Sequence, residues 1–188
     1  MKKILGILIF VLGAGMVLSA QSPGVSVISV TAQHPVQRIL YADDAHVDRV
    51  TNGVGLSLSY MYCQKEESAA IGLELEYELF PYQGFHTYSD IRLSAGLRFP
   101  LFLFNNGDGK LSFNIFGTTN IGVSFDFRDD QDKGAYVLYK LGTAFVVGMD
   151  LVSVELDVGG AVTFQNGSIV VQLMPAVGVS VPLGGNNR

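Results

Sequence analysis

Residues 71–79 read Ile-Gly-Leu-Glu-Leu-Glu-Tyr-Glu-Leu. Every odd-numbered position is large and apolar, and every even-numbered position is glycine or glutamate. A helix would scatter the glutamates around its circumference, whereas a strand places them in one line on a single face. The stretch therefore predicts a β-strand with one apolar face and one charged face.

The same two-residue alternation recurs along most of the chain and is typical of strands with two unlike faces. The alternation is weakest in the first of these segments, near the N-terminus. Eight strands are predicted, over residues 25–32, 54–62, 71–79, 91–99, 111–127, 137–147, 152–164 and 169–183.

Turn residues predict how neighbouring strands align. The Asn-Gly pair at 166–167 favours a two-residue type I′ hairpin, because both central residues of that turn need a positive φ. This hairpin places Phe164 opposite Ile169, and a four-residue turn places Tyr62 opposite Ile71. Both pairs are apolar, and a slip of one residue would destroy that match. The sequence therefore predicts an antiparallel up-and-down sheet.

Composition limits the class of protein. The chain has 188 residues, enough for one domain, and is 48% hydrophobic but only 15% charged, against about 25% charged residues in a typical soluble domain. After the N-terminus no apolar run approaches the ~20 residues of a spanning helix. The net charge of −5 and the lack of a basic cluster argue against nucleic acid as a partner.

Cysteine and metal chemistry are sparse in this sequence. The single cysteine, Cys63, excludes an intramolecular disulfide and a cysteine-based metal cluster. No metal-ligand spacing and no glycine-rich phosphate loop is present, so neither a metal nor a cofactor is predicted. Cys63 falls on an inward position, where it is expected to be a small filler.

The N-terminal segment has the three parts of a secretory signal. Lys2 and Lys3 precede an apolar stretch over residues 4–18, and the small residues Ser19 and Ala20 follow it. This pattern predicts cleavage after Ala20, which leaves residues 21–188 as the exported domain. An uncleaved N-terminal anchor is the alternative, although the apolar stretch is short for a membrane span.

The composition of the two strand faces predicts which face meets lipid. A soluble lipocalin-like carrier would turn its apolar face inward, but a soluble exterior normally carries scattered lysine and glutamate. Here the apolar face lacks charged residues, whereas the other face carries small and mutually pairable groups. We therefore expect an all-β transmembrane barrel of about eight strands, closed because an open edge in lipid leaves backbone groups unpaired.

Aromatic residues near the strand ends match the girdles of membrane barrels. One girdle is predicted from Phe80, Tyr82, Phe125, Phe127, Tyr136, Tyr139 and Phe164, and the other from Tyr62, Phe99, Phe102, Phe104 and Phe113.

An even number of strands predicts that both termini lie on the periplasmic side. The connections on the opposite side, facing the cell exterior, are then residues 33–52, 81–87, 128–134 and 165–168. The long polar connection 33–52 and the charged connection 128–134 are candidates for binding an extracellular ligand. Residues 100–110 form an unusually long periplasmic connection, in which residues 101–104 could extend a strand.

These features together resemble the small bacterial outer-membrane β-barrel proteins of the OmpA, OmpX and OmpW type. The last strand, residues 178–183, is similar to the glycine-and-spaced-apolar signal by which such barrels are recognised for insertion. The resemblance implies the outer membrane of a diderm bacterium, with outer-membrane lipid and the barrel-assembly machinery as partners. That family includes pores, adhesins, anchors and lipid-modifying enzymes, so the fold leaves the function open.

The inward faces carry a charged set with more acids than bases. Its members are Glu74, Glu76, Glu78, Asp90, Asp126, Glu155 and Asp157 with Arg92, Arg98 and Lys140. The turns place Glu76 near Arg92 and Asp157 diagonal to Lys140. An eight-stranded barrel is just wide enough for side chains to fill it, so the first hypothesis is a plugged, non-enzymatic structural or surface-binding barrel. A narrow, cation-preferring channel is the other interpretation.

An enzymatic alternative depends on one short segment. His86 stands three residues before Ser89, and Asp90 follows, so these side chains could form a triad that deacylates outer-leaflet lipid. Triad roles require hydrogen-bond reach in space, however, and closeness in sequence does not supply it.

Overall fold

A computed structural model describes residues 24–41, 49–63, 68–82, 86–106, 111–127, 135–149, 151–165 and 168–183. The predicted signal peptide, residues 1–20, lies outside this part of the chain. The described residues form eight strands, two of them interrupted. Their bounds are β1 (Val25–Gln33 with Val36–Tyr41), β2 (Arg49–Asn52 with Val54–Cys63), β3 (Ala70–Tyr82), β4 (His86–Asn105), β5 (Leu111–Phe127), β6 (Ala135–Met149), β7 (Val152–Gln165) and β8 (Ser168–Leu183).

The strands close into an antiparallel barrel. Each strand pairs with its neighbours in the chain, and β1 also pairs with β8. Phe164 lies opposite Ile169 and Tyr62 lies opposite Ile71, so these two predicted registers and the fold class are confirmed. We call the end with Gly24 and Leu183 the terminal end, and the opposite end the loop end.

The first hairpin is longer than the sequence pattern predicted. Residues 33–52 were expected to form a loop, but residues 36–41 and 49–52 are paired strands. Pro35 cannot donate to the ladder, yet its neighbours keep the register, because the His34 N–H donates to the carbonyl of Pro175 at 2.9 Å. The Gly53 N–H likewise donates to the carbonyl of Pro35 at 2.8 Å. The prediction of a loop there was wrong, because one proline interrupts the strand without ending it.

A β-bulge extends β4 beyond its predicted end. Phe99 pairs with Gly117 and Phe102 with Ile115, so the register shifts between Pro100 and Phe102. An extra residue reverses which side chains point outward. The aromatic rings on both sides of the bulge therefore remain on the outer face, and residues 100–105 are strand instead of connection.

The outer surface of the barrel is apolar, as the alternation predicted. Leu56, Ile121 and Leu141 are 58%, 63% and 55% exposed in the isolated chain. A water-soluble carrier does not show so large an apolar surface, whereas lipid requires an apolar exterior around a closed ladder. The described residues contain no helix with the length and apolarity needed for a membrane span.

Eight of the twelve predicted girdle residues are exposed on the outer face, and Tyr62 is half-buried. Phe99, Phe102, Phe104 and Phe113 are exposed on the outer face at the terminal end. A second exposed group, at the loop end, comprises Phe125, Phe127, Tyr139 and Phe164. Phe80 was wrongly assigned to this girdle, because its ring is fully buried inside the barrel against Gly53. Tyr136 is half-buried, in the inward series that contains Leu138. The side chain of Tyr82 lies outside the described residues.

Candidate functional site in the barrel lumen

Strict alternation places the charged residues of each strand on the inward face. On β3, residues 74, 76 and 78 share that face, and on β4 residues 90, 92 and 98 share it. The structure arranges the cationic side chains in three layers along the barrel.

The layer nearest the loop end centres on Arg92, whose side chain is 1% exposed. Its Nη2 lies 3.0 Å from Oε2 of Glu78 and 3.4 Å from Oδ2 of Asp90. Gln172 Nε2 donates to the same Glu78 oxygen at 3.2 Å. Asp126, which lies opposite Asp90 in the sheet, is also buried. This layer is an enclosed ionic cluster with several mutual hydrogen bonds.

Apolar side chains surround the Arg92 layer. Fully buried Phe80, Leu138 and Val170 occupy inward positions near the loop end. Leu138 and Val170 were not predicted as lumen residues, and Phe80 was predicted in the girdle instead. The two-residue alternation does indicate inward positions for two of them. Phe80 lies two residues after the inward Glu78, and Leu138 lies two residues before the inward Lys140.

The middle layer centres on Lys140. Its Nζ lies 2.8 Å from Oε2 of Glu74 and 2.5 Å from Oε1 of Glu76. Asn120 Nδ2 donates to the same Glu74 oxygen at 2.6 Å. One ammonium group therefore holds two carboxylates of β3 from across the barrel.

The third layer, toward the terminal end, is an Arg98–Glu155 pair. Arg98 donates from Nη1 and Nη2 to the two carboxylate oxygens of Glu155, at 3.3 and 2.9 Å. The guanidinium also stacks 5.1 Å from the centre of the Phe116 ring. Ser29 Oγ donates to Glu155 Oε1 at 3.2 Å. Two parallel donor–acceptor bonds fix the orientation of the pair.

The observed ion pairs differ from those inferred from sheet register. Glu76 does lie opposite Arg92, but its carboxylate is paired with Lys140. The predicted diagonal between Asp157 and Lys140 is wrong, because Lys140 lies opposite Ala161 and Asp157 opposite Ala144. The reason is the β6–β7 turn, which pairs Met149 with Val152 and is two residues shorter than expected.

The described residues line a small cavity and a larger cavity inside the barrel. A small cavity of about 90 Å³ lies in the middle, lined by Glu74, Asn120, Lys140 and Asp157 among others. A larger cavity of about 530 Å³ occupies the terminal end. Arg98, Glu155 and Met61 line both cavities, so the third ionic layer lies between them.

The structure does not bring the proposed catalytic residues together. Ser89 and Asp90 are adjacent on β4 and therefore point to opposite faces of the sheet. The Asp90 carboxylate binds Arg92 in the lumen. The side chain of His86 lies outside the described residues. Among the described residues, no group of three or more His, Cys, Asp or Glu side chains could hold a metal ion.

No protein-family model matches the sequence, and no curated protein matches it. Solved structures do match. Neisserial surface protein A is 8% identical, with a TM-score of 0.54 over 83% of this chain and 96% of that chain. The outer-membrane enzyme PagL is 11% identical, with a TM-score of 0.52 over 82% of this chain and 99% of that chain. The chain has the fold of the small outer-membrane β-barrels.

This fold and the apolar exterior together indicate the outer membrane of a diderm bacterium as the location. The similar structures include one surface protein and one enzyme. Because a fold supports many functions, the specific role has to be argued from the lumen and the loops of this chain.

Proposed function

We propose that this chain is a non-enzymatic outer-membrane barrel with a closed lumen, which acts as a structural or ligand-binding protein at the cell surface. The observation that supports this proposal is the packing around Arg92. The guanidinium is 1% exposed, and the neighbouring Glu78 and Phe80 are fully buried. A conducting path needs continuous water, and side chains leave little room for it here.

The charge balance supports the plug over the narrow channel. The ten lumen charges comprise seven acids and three bases, which would favour cations if the path were open. Arg92 and Lys140, however, each hold two carboxylates at hydrogen-bond distance. Breaking a buried ion pair is costly, at about 3–5 kcal/mol, so these layers lock the lumen.

A closed barrel presents its recognition surface on its loops. The first hairpin supports this role, because its paired strands continue to Tyr41 and from Arg49 at the loop end of the barrel. We propose that residues 128–134 and the connection between these strands bind an extracellular ligand. Lipid contacts the apolar exterior, and the barrel-assembly machinery inserts the folded chain.

Ion flux from vesicles tests the closed lumen. The wild-type barrel would be reconstituted into vesicles loaded with potassium chloride, and potassium release measured with an ion-selective electrode. We expect release no faster than from protein-free vesicles. An Arg92→Ala/Phe80→Ala variant should release potassium faster than chloride, because it removes two plug side chains and leaves the acids.

The matched control is Leu93→Ala, which shortens the adjacent outward residue and should leave the barrel tight. Far-UV circular dichroism would verify that each variant is folded. Rapid potassium release from wild-type vesicles would contradict the proposal.

A further inference from the structure

The cavity at the terminal end has two chemically different walls. Its mainly apolar wall lies on four adjacent strands, β8, β1, β2 and β3, and comprises Pro182, Val25, Val27, Met61 and Ala70, with Ser180 as a polar member. The facing wall lies on β4, β5, β6 and β7 and carries amide and hydroxyl groups from Asn105, Ser112, Asn114 and Ser153, together with the apolar side chains of Phe116, Val146 and Met149. The cavity is therefore more polar on one side than on the other.

The size of this cavity suits a small molecule. Its volume of about 530 Å³ lies within the range of about 300–1,000 Å³ found for ligand pockets. The half of the lumen near the loop end is packed so tightly that Arg92 and Phe80 are buried. Within the described residues, this end of the barrel, the terminal end, thus holds more open volume than the cavity of about 90 Å³ in the middle.

The inner end of the cavity limits the charge of a ligand. Arg98 and Glu155 neutralise each other through two hydrogen bonds, and no other charged side chain among the residues that the structure describes lines this cavity. Within the described residues, the buried Arg98 Nε has no hydrogen-bond partner. A charged head group would lack a counter-charge here, whereas a neutral hydroxyl, ester or amide could accept from Nε and bond to the polar wall.

We propose that the terminal-end cavity binds a single-chain amphiphile with a neutral head group. The hydrocarbon chain lies against Val25, Val27 and Pro182, and the head group bonds to the asparagine and serine side chains opposite. This site does not depend on whether the lumen conducts, so its failure would leave the proposed function untouched.

The single cysteine provides a native reporter of occupancy. Cys63 lines the cavity, with Sγ 3.4 Å from the carbonyl oxygen of Val25. The wild-type barrel would be placed in phospholipid nanodiscs and titrated with 1-monolauroylglycerol. Bound stoichiometry would be measured by native mass spectrometry, and the rate of Cys63 modification by a small maleimide would be followed in parallel.

We expect one saturable site per barrel and a rate of Cys63 modification slowed by about tenfold at saturation. Laurate, which has the same chain and a charged head group, should bind about tenfold more weakly, equivalent to about 1.4 kcal/mol. Ser153→Phe fills the polar side of the cavity and should weaken binding by a similar factor. Thr119→Phe adds the same ring to the lipid face and should leave binding unchanged.

A second variant tests the site if Ser153→Phe does not fold. Asn114→Leu keeps the size of the side chain but removes its hydrogen bonds, so it should weaken the binding of monolauroylglycerol. It should not slow the modification of Cys63 in the empty barrel. Non-saturable uptake or unchanged Cys63 reactivity would overturn the site. Equal affinity for laurate would overturn the assignment of a neutral head group.

Discussion

Lys140 on β6 holds Glu76 on β3 across the lumen, with 2.5 Å between Nζ and Oε1. These strands are not neighbours in the sheet, since β3 pairs with β2 and β4, and β6 pairs with β5 and β7. The contact therefore joins opposite walls of the barrel. The Glu76 side chain is buried and Lys140 is 15% exposed. Little water is therefore available to solvate either charge if its partner is removed.

Removing the Lys140 charge should destabilise the barrel strongly. Lys140→Met leaves Glu74 and Glu76 together without a cation, and we expect the free energy of unfolding to fall by about 3–5 kcal/mol. Urea unfolding in lipid vesicles, followed by circular dichroism, measures this loss. Lys140→Met/Glu76→Gln should recover part of it, because only one uncompensated charge remains. A loss below about 1 kcal/mol in the single variant would show that the pair is solvated.

At the neighbouring Leu141, adding a charge should destabilise the barrel, whereas at Lys140 removing one should do so. Leu141 is 55% exposed on the lipid side, so Leu141→Arg should reduce the free energy of unfolding in vesicles by up to about 2–4 kcal/mol near the bilayer midplane. Leu141→Ala is the control and should cost clearly less. If arginine were tolerated as well as alanine, the outer face would not lie in lipid.

Two glycines should respond differently to a methyl group. A Cβ on Gly122 would overlap the carbonyl oxygen of Leu93 and lie 2.6 Å from Cα of Ser94, both backbone atoms. A Cβ on Gly160 would meet only the carbonyl oxygen of Gln172, at 3.3 Å. Gly122→Ala should therefore cost about 1–3 kcal/mol of unfolding free energy, and Gly160→Ala less than about 1 kcal/mol. Equal costs in urea unfolding would contradict the close strand packing inside the barrel.

Cell-surface labelling checks the direction of the barrel. The strands before and after residues 44 and 130 have their facing ends at the loop end, and the strands before and after residue 108 have theirs at the terminal end. In a Cys63→Ser background, Asp44→Cys and Asp130→Cys should react with an impermeant maleimide on intact cells, whereas Asp108→Cys should react only after lysis. The reverse pattern would show that the loop end faces the periplasm.

The strands were predictable because their signal is local. Alternation over residues 71–79 and the Asn-Gly turn at 166–167 fixed faces and registers without knowledge of the rest of the chain. The bulge after Pro100 was not predictable, because it adds one residue to a segment that is apolar on both sides. Residues 33–52 were predicted as a connection, although the ladder continues past Pro35.

The lumen contacts were less accessible to sequence reasoning. Lys140 meets Glu74 and Glu76 because strand tilt and stagger bring β3 opposite β6, and sheet register carries no information about contacts across the lumen. Phe80 could have been placed inside by following the alternation of β3 one step beyond Glu78. Its aromatic character favoured the girdle instead.

Single-channel recording in a planar bilayer tests the closed lumen most directly. The wild-type barrel should insert and give no discrete openings, because Arg92, Glu78 and Phe80 fill the loop half of the lumen. Arg92→Ala should be less stable to heat and should open a small, cation-selective conductance, since it deletes a plug side chain and leaves its acidic partners. Steady, ion-selective openings of the wild-type barrel would contradict the closed lumen, whatever the variant does.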